Sequence, residues 1–183
     1  MTADFKKYKY ENTHPLKNKV LRLLWQVVWC LFFRLSPRYG FNFFRIFVLR
    51  IFGAKIGTSC IIFPSVKIWA PWNLSLGDYV CLAERVNCYS IEHIFIGNKV
   101  TVSEGAFLCT ASHSIESLDR PLFAERIFLE DFSWVCAEAF IGPGVHVQKG
   151  SIIGARSVIF KDVEAWNVVA GNPAKFIKKR VIK

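Results

Sequence analysis

The chain has 183 residues, of which 52% are hydrophobic and 15% aromatic. This length allows one domain with a sizeable core, and so apolar a composition excludes a disordered chain. The formal net charge of +10 is concentrated in residues 1–55, which contain 11 Lys/Arg and 2 Asp/Glu, whereas residues 56–183 contain 13 and 12. A basic segment of this kind is typical of contact with nucleic acid or an anionic membrane. No nucleic-acid-binding motif accompanies it, so we expect no nucleic acid partner.

The N-terminal residues and the cysteines indicate the cellular compartment of the protein. Residues 1–7 lack the apolar core and the small-residue cleavage site of a secretory signal. The six cysteines are dispersed and form no Cys-x-x-Cys pair, which is typical of reduced intracellular thiols. We therefore expect a cytoplasmic protein, with peripheral contact at the inner face of the membrane as an open addition.

Residues 20–35 predict a helix, because their apolar residues recur at helical spacing. Only 11 uncharged residues lie between Arg22 and Arg34, whereas a membrane-spanning helix needs about 20 apolar residues. A second apolar run, residues 41–52, is interrupted by two arginines. The pattern therefore predicts two short helices and disfavours a span.

Residues 1–55 are thus predicted to form a basic, aromatic-rich N-terminal helical segment. Such a segment can lie in a membrane interface, with its cations facing anionic headgroups. It can equally cap the open end of the domain that follows. The sequence leaves open both the cap and a peripheral membrane contact through residues 20–52.

A repeat of six residues dominates the rest of the chain. Between positions 129 and 165 an aliphatic residue or Ala recurs at every sixth position, and a small or β-branched residue lies four positions later. The same phase appears upstream, where Ile-Gly or Leu-Gly pairs begin at positions 56, 76 and 96. The regular series is Leu129, Val135, Ile141, Val147, Ile153, Ile159 and Ala165.

A period of six fits neither an amphipathic helix nor an alternating strand, but it fits a prism with three faces. Each hexapeptide supplies a short strand and a turn, its aliphatic residue points to the axis, and three hexapeptides complete one coil. Glycine after the aliphatic residue is expected to allow turn dihedral angles that a Cβ disfavours. We therefore predict a mainly β fold, a left-handed parallel β-helix over residues 56–170, whose early coils each consist of three hexapeptides and a two-residue insertion.

The repeat is interrupted after His113. The next aliphatic residue is due at position 114, but the phase resumes only near Ile127. Residues 114–126 are therefore predicted as an external loop, and insertions of this kind often form the binding face of a repeat protein. Residues 171–183 are predicted as a basic C-terminal tail.

Four stretches resemble the hexapeptide-repeat acyltransferases, which use acetyl-CoA, and most of all the colanic-acid-biosynthesis type of O-acetyltransferase. They are Phe52-Gly-Ala-Lys-Ile-Gly, Leu108-Cys-Thr-Ala-Ser-His113, Trp134 at the start of a coil, and Val169-Ala-Gly-Asn-Pro-Ala-Lys175. The resemblance extends over about residues 20–183. It implies a homotrimer, because the sites of this family form between subunits.

The resemblance implies that His113 is the general base. An alcohol is a weak nucleophile at neutral pH, and an imidazole can take its proton during attack on the thioester carbonyl. No Ser or Cys nucleophile is needed, so direct transfer from acetyl-CoA is expected. The implied acceptor is a hydroxyl group of a saccharide or a lipid-linked sugar in cell-surface or exopolysaccharide biosynthesis. Glu116 and Glu125 are the nearby carboxylates that could orient the imidazole.

Asn87 is the acceptor-binding residue that the resemblance implies. It precedes His113 by one coil, and its amide suits recognition of hydroxyl groups. Ala111 and Ser112 replace a Gly-containing step of the sugar acetyltransferases. The resemblance therefore leaves the identity of the acceptor open.

Five residues match positions that contact CoA in the family. Trp134 matches a Trp beside the pantetheine arm. Ala137 and Ala155, which lie three hexapeptides apart, are expected at equivalent places on successive coils, where their backbone groups face the pantetheine. Lys161 and Lys178 match positions near the nucleotide, where cations suit phosphate groups.

Three other functions are compatible with the sequence. The same base and thioester would serve N-acetylation of an amino-sugar, and a non-enzymatic β-helix scaffold would need no acetyl-CoA. A metal site of His93, His113 and His146 would resemble γ-class carbonic anhydrase. The spacings between these histidines do not match the ligand arrangement of that family, so no metal is expected.

Overall fold

The computed structural model describes residues 15–182; residues 1–14, on which the signal-peptide prediction rests, and Lys183 lie outside this part. Two helices open the described chain: α1 (Leu16–Val28), which continues into a π-helical segment (Trp29–Phe33), and α2 (Asn42–Ile51). The chain turns between them at Pro37, since a proline lacks the N–H that helix continuation needs.

Short strands make up most of the remainder, with a 3-10 turn (Pro71–Asn73) after the third. They are β1 (Lys55–Ile56), β2 (Ile61–Ile62), β3 (Lys67–Ile68), β4 (Leu74–Leu76), β5 (Cys81–Leu82), β6 (Asn87–Tyr89), β7 (Ile94–Ile96), β8 (Thr101–Val102), β9 (Phe107–Cys109), β10 (Ala111–His113), β11 (Leu122–Ala124), β12 (Ile127–Leu129), β13 (Trp134–Val135), β14 (Phe140–Ile141), β15 (His146–Val147), β16 (Ile152–Ile153), β17 (Val158–Ile159), β18 (Asn167–Gly171) and β19 (Ala174–Lys179).

These strands form the three faces of a prism. Face A contains β1, β4, β7, β12 and β15; face B contains β2, β5, β8, β13, β16, β18 and β19; face C contains β3, β6, β9, β14 and β17. Neighbouring strands within a face are parallel, except that β18 and β19 are antiparallel. The chain visits the faces in the order A, B, C, and we name the edges between them A–B, B–C and C–A. This is the three-faced parallel β-helix that the period of six predicts.

The strand register confirms the predicted coil lengths. Ile56 pairs with Leu76 and Leu76 with Ile96, so each early coil consists of three hexapeptides and two further residues. Leu129 pairs with Val147, so the regular coil consists of three hexapeptides alone. The two extra residues of each early coil lie at the C–A edge, between the inward residues of face C and those of face A. The same edge of the third coil carries the interruption after His113.

One position at the end of the repeat differs from the prediction. Val163, not Ala165, forms the bridge to Val147 on face A. The final coil is therefore two residues shorter there than the sequence period predicts. Val163 is buried, whereas Ala165 is only partly covered, so the larger aliphatic side chain takes the inward place.

Glycine after the aliphatic residue is expected to allow unusual turn dihedral angles, and this expectation is wrong at Gly97. This glycine does not have a positive φ. A Cβ at this position would lie 2.7 Å from the amide nitrogen of Asp131 in the next coil. Close approach between coils therefore requires the glycine. The left-handed turn residue comes two positions later and is not a glycine: Lys99 has a φ of 54°.

The inward aliphatic side chains stack along the prism axis. On face B, Ile62, Leu82, Val102, Val135 and Ile153 are all 0% exposed. Burying a side chain of this size stabilises the fold by roughly 1.5–3 kcal/mol relative to leaving it in water. Because each coil covers the next, the core is continuous from the first coil to the last.

The two N-terminal helices cap the first coil. The outer edge of a terminal coil presents backbone carbonyl groups that no further strand pairs, and side chains of the helices donate hydrogen bonds to them. The pairs are Trp25 Nε1 to Ile68 O (2.6 Å), Trp29 Nε1 to Val66 O (2.8 Å), Asn42 Nδ2 to Cys60 O (2.7 Å), Arg45 Nε to Ile62 O (2.7 Å) and Arg50 Nη2 to Ile56 O (2.7 Å). Within residues 15–182, no helix is long and apolar enough to cross a membrane.

Candidate active site

An antiparallel hairpin, β10–β11, projects from the C–A edge of the third coil. His113 at the end of β10 pairs with Leu122 at the start of β11. The side chains of Ile115 and Leu118 at the hairpin tip are 98% and 74% exposed. The segment after His113 is therefore partly a strand, which the hexapeptide period does not predict.

His113 is exposed, and the hairpin fixes the orientation of its ring. Its Nδ1 lies 2.6 Å from the backbone carbonyl oxygen of Arg120. A carbonyl oxygen can only accept, so Nδ1 carries a proton, and in the neutral ring Nε2 then has the lone pair. This is the tautomer that a general base needs. The orienting group is thus a backbone carbonyl and neither of the carboxylates considered from the sequence, Glu116 and Glu125.

Thr110 holds the base of the hairpin on the prism. Its side chain donates to Tyr89 O (2.8 Å) and accepts from the amide of Glu92 (3.0 Å), while its carbonyl accepts from the amide of Glu125 (2.8 Å). The carboxylate of Glu125 packs against Gly144, where a Cβ would collide with it. These hydrogen bonds tie both ends of the hairpin to the prism.

Asn87 lies on the outer surface of face C. Its strand neighbours are Lys67 and Phe107. It lines a groove of about 820 Å³ between α1 and face C. We call this the basic groove; its lining includes the cations Arg22, Arg34 and Lys67, together with Trp69, Asn87, Tyr89 and Phe107.

The residues expected beside pantetheine lie on face B and at the B–C edge. Trp134 is 44% exposed and donates from Nε1 to Ser103 Oγ (2.8 Å). Ala137 and Ala155 occupy equivalent places on successive coils, and the amide of Arg156 donates to the carbonyl of Ala137 (2.9 Å). The amide and carbonyl of Ala155 have no hydrogen-bond partner in the described part of the chain. An exposed Ala with free backbone groups fits an amide-bearing chain such as pantetheine.

The two lysines expected near the nucleotide lie apart from each other. Lys161 follows β17 at the C–A edge and lines a groove of about 760 Å³ at the C-terminal end of the prism, together with Lys175 and Lys179. Lys178 in β19 pairs with Val168 and does not line this groove. Sequence reasoning missed Lys175 and Lys179, since only the return of β19 along β18 places them beside Lys161.

The predicted site residues lie at different edges of a single chain. His113 is at the C–A edge, whereas Ala137 and Ala155 are at the B–C edge. Asn87 lies on face C between the two edges. The width of a face separates the two edges, so a single chain does not bring His113 and Ala155 together.

The other two histidines considered for a metal site are engaged elsewhere. His93 Nε2 is 2.9 Å from Ser75 Oγ, its ring stacks on Phe95, and burial lowers its pKa. His146 Nε2 is 2.6 Å from Glu130 Oε1. In residues 15–182, no three His, Cys, Asp or Glu side chains are grouped to hold a metal ion.

Comparison with known proteins places the chain among acetyltransferases, although no protein-family profile matches it. WcaF of Escherichia coli (strain K12), named as a colanic acid biosynthesis acetyltransferase, is 40% identical over 164 residues, which cover 90% of each chain. Among solved structures, the hexapeptide-repeat-containing acetyltransferase VCA0836 of Vibrio cholerae O1 biovar eltor, complexed with acetyl-CoA, has a TM-score of 0.83 at 22% identity over 96% of each chain. A maltose O-acetyltransferase of Clostridium difficile 630 has a TM-score of 0.80 at 22% identity, over 92% of this chain and 90% of that one.

The structural likeness confirms the predicted fold class, a left-handed parallel β-helix with a short N-terminal helical segment. The identity to WcaF over nine-tenths of both chains goes further than the fold. The chain belongs to the hexapeptide-repeat acetyltransferases, enzymes that use acetyl-CoA. The predictions of family and enzyme class are therefore confirmed, and the roles of individual residues stay predictions.

Proposed function

We propose that the protein transfers an acetyl group from acetyl-CoA to a sugar hydroxyl in cell-surface or exopolysaccharide biosynthesis. The observation that carries this proposal is the 2.6 Å contact between His113 Nδ1 and Arg120 O, which leaves Nε2 of the neutral ring with a lone pair on an exposed hairpin. The names of WcaF and of the maltose O-acetyltransferase support a saccharide acceptor.

In the proposed reaction His113 acts as the general base. Its Nε2 takes the proton of the sugar hydroxyl while the hydroxyl oxygen attacks the carbonyl carbon of the thioester. The new carbon–oxygen bond gives a tetrahedral oxyanion, which then collapses as the carbon–sulfur bond breaks. The imidazolium returns its proton to the CoA thiolate, so His113 ends as it began. The hydrogen bond from Nδ1 to Arg120 O holds the ring during both proton transfers.

The state of Cys109 supports direct transfer without an acyl-enzyme. Cys109 is four residues before His113 in the sequence and is 9% exposed. Burial raises the pKa of its thiol, and Sγ donates to the carbonyl of Ala111 (3.1 Å). A thiol held in this protonated state is a poor nucleophile.

Within the proposal, CoA lies along the B–C edge. The free amide and carbonyl of Ala155 would hold the amides of the pantetheine, with Ala137 one coil earlier and Trp134 beside the arm. Lys178 would face the phosphates from the same chain, and Lys161, which lies at the C–A edge, would face them from a neighbouring subunit. When bound, acetyl-CoA supplies the activated thioester, and the protein supplies its orientation and the base.

We also propose that the active form is a homotrimer. His113 and Ala155 lie on different edges of one chain, so a second copy is needed to bring base and thioester together. The apolar hairpin tip, with Ile115 and Leu118 exposed, would then pack on the neighbouring subunit. A heterologous interface repeated around a threefold axis closes into such a ring.

A further part of the proposal is peripheral contact between residues 20–52 and the cytoplasmic face of an anionic membrane. Five residues at helical spacing form an exposed apolar stripe on the N-terminal helix, which we call the apolar stripe: Leu16, Val20, Leu23, Val27 and Leu31, each at least 47% exposed. Residues 15–55 contain eight Lys/Arg and no Asp/Glu. Apolar side chains flanked only by cations suit anionic headgroups over an acyl layer, whereas a second copy of the same surface would oppose cation to cation.

The test of the catalytic proposal is His113→Ala, with His146→Ala as the matched control. Thiol release from acetyl-CoA is measured against a panel of sugars that includes maltose. We expect His113→Ala to lower kcat by about 10²–10⁴-fold, the usual contribution of a general base, while calorimetry shows unchanged CoA binding. His146→Ala should keep its activity. Full activity of His113→Ala would show that His113 is not the general base.

A further inference from the structure

The basic groove brings several positively charged side chains together. Four of its thirteen lining residues are Lys or Arg, and none is Asp or Glu. Arg22, Arg34 and Lys67 form no ion pair with any carboxylate in residues 15–182. Cations gathered in a concave site raise the local potential and attract anionic ligands. The chemistry of the groove therefore favours an anion.

Arg22 carries an unsatisfied donor in this groove. Its guanidinium lies 4.4 Å from the ring centroid of Trp69, which fixes the side chain. Its Nε is buried and has no hydrogen-bond partner in the described part of the chain. A buried donor without a partner is unfavourable in a folded protein. Because this nitrogen has almost no exposed surface, a bound phosphate oxygen would satisfy it with a charge-assisted hydrogen bond only after a shift of the Arg22 side chain.

The face C wall of the groove is largely aromatic. The Trp69 and Tyr89 ring centroids are 5.0 Å apart, and those of Tyr89 and Phe107 are 6.2 Å apart. Aromatic faces pack against the apolar faces of sugars and bases, and Asn87 adds an amide for hydroxyl groups. The groove thus offers cations for phosphate beside an aromatic wall for a ring, with a volume of about 820 Å³.

We propose that the basic groove binds the diphosphate of the acceptor, so that the sugar to be acetylated is a glycosyl diphosphate. This rests on the proposed function, since Asn87 lies in the same groove. Arg22, Arg34 and Lys67 bind the phosphate oxygens, and the aromatic wall binds the ring. The diphosphate is not altered in the reaction. A nucleotide sugar and a lipid-linked sugar share this chemistry.

Calorimetry tests the groove without knowledge of the sugar. UDP and farnesyl diphosphate are titrated into the full-length protein in saturating CoA, which keeps the CoA site filled, with uridine and farnesol as uncharged counterparts. We expect a diphosphate to bind and its uncharged counterpart not to. The double variant Arg22→Gln/Lys67→Gln should bind the diphosphate at least about tenfold more weakly, because two charge-assisted hydrogen bonds are lost. Lys99→Gln, an exposed cation outside the groove, should bind as the wild type does.

Comparison of the two diphosphates distinguishes a nucleotide sugar from a lipid-linked sugar as the acceptor. Tighter binding of UDP supports a nucleotide sugar, tighter binding of farnesyl diphosphate supports a lipid-linked sugar, and equal binding supports recognition of the diphosphate alone. Lys67→Gln, on an exposed strand position, replaces the double variant if that one does not fold. Binding of neither diphosphate, or equal binding by the variant, overturns the proposal.

The experiments distinguish a wrong diphosphate-binding proposal from a wrong acetyltransferase proposal. If neither diphosphate binds but acetyl-CoA is turned over with a neutral sugar, the groove proposal is wrong and the proposed function stands. If diphosphates bind but no sugar or sugar diphosphate is acetylated, the groove proposal stands and the transferase proposal is wrong.

Discussion

Arg45 is a buried cation whose guanidinium is engaged by oxygen atoms on several sides. It is 1% exposed, and burial lowers its pKa. Nε donates to Ile62 O (2.7 Å), Nη1 to Ser36 Oγ (3.0 Å) and Pro37 O (2.8 Å), and Nη2 to Arg38 O (3.1 Å). One side chain thus joins α2, the turn after the π-helical segment and the first coil.

Replacement of Arg45 should therefore loosen the cap. We expect Arg45→Ala to lower the free energy of unfolding by about 3–5 kcal/mol, because several buried carbonyl groups lose their donor. Arg45→Lys should recover only part of this, since one ammonium group cannot reproduce the planar fork. Urea denaturation followed by circular dichroism measures the change, and Lys17→Ala on the exposed side of α1 should stay within about 0.5 kcal/mol. A loss under about 1 kcal/mol for Arg45→Ala would contradict the role of the hydrogen bonds.

At the residue scale, the sequence predicts what depends on spacing. The inward positions such as Ile141 and Ile153 follow from the period of six, and both are buried. The partner of His113 could not be predicted in this way, because Arg120 acts through its backbone carbonyl and its side chain gives no signal. The burial of Arg22 Nε could not be predicted either, because it depends on how α1 packs against Trp69.

At the element scale, α1 with its π-helical continuation has two different sides. Trp25, Trp29 and Phe33 are buried against the first coil, and the apolar stripe faces away from it. Packing on the prism explains why the side with the aromatic residues is apolar. Contact with a bilayer surface would explain why the apolar stripe is apolar as well. The cap and the proposed membrane contact thus use different sides of the same helix.

Co-sedimentation with lipid vesicles tests the apolar stripe. We expect the full chain to sediment with vesicles of phosphatidylcholine and phosphatidylglycerol but not with phosphatidylcholine alone, and to be released by high salt. Val20→Glu/Leu31→Glu, at two stripe residues that do not line the basic groove, should abolish binding without a change in acetyl transfer to a soluble sugar. Val181→Glu, at another exposed apolar residue outside the stripe, should bind like the wild type. Retained binding by the double variant would rule the stripe out as the contact.

The elements that the sequence does not predict share a physical reason. β11 and β19 pair antiparallel with the strand just before them, so neither contributes an inward aliphatic residue to the column. The six-residue period reflects only the residues that point into the core, so it does not predict strands that lie outside the core. The extra residues at the C–A edge are visible in the sequence as spacings longer than three hexapeptides, but only the register shows that all of them lie on the edge that carries His113.

At the scale of the whole molecule, the prism separates the base from the expected pantetheine contacts. A β-helix is stiff along its axis and has no hinge that could bring one edge to another. A site that needs His113 and Ala155 must therefore combine two copies of the chain. This arrangement makes a prediction that a site within one chain does not share.

Two inactive variants should restore each other's activity when they assemble together. His113→Ala removes the base, and Ala155→Trp fills the exposed B–C edge where pantetheine is expected, without touching the core. Each should be inactive alone. Co-expressed with different tags and purified as mixed trimers, they should recover about a third of wild-type activity, since every mixed trimer joins an intact His113 to an intact Ala155 at one of its three interfaces. Light scattering confirms the trimer, and mixed trimers that stay inactive would place both residues in the same subunit's site.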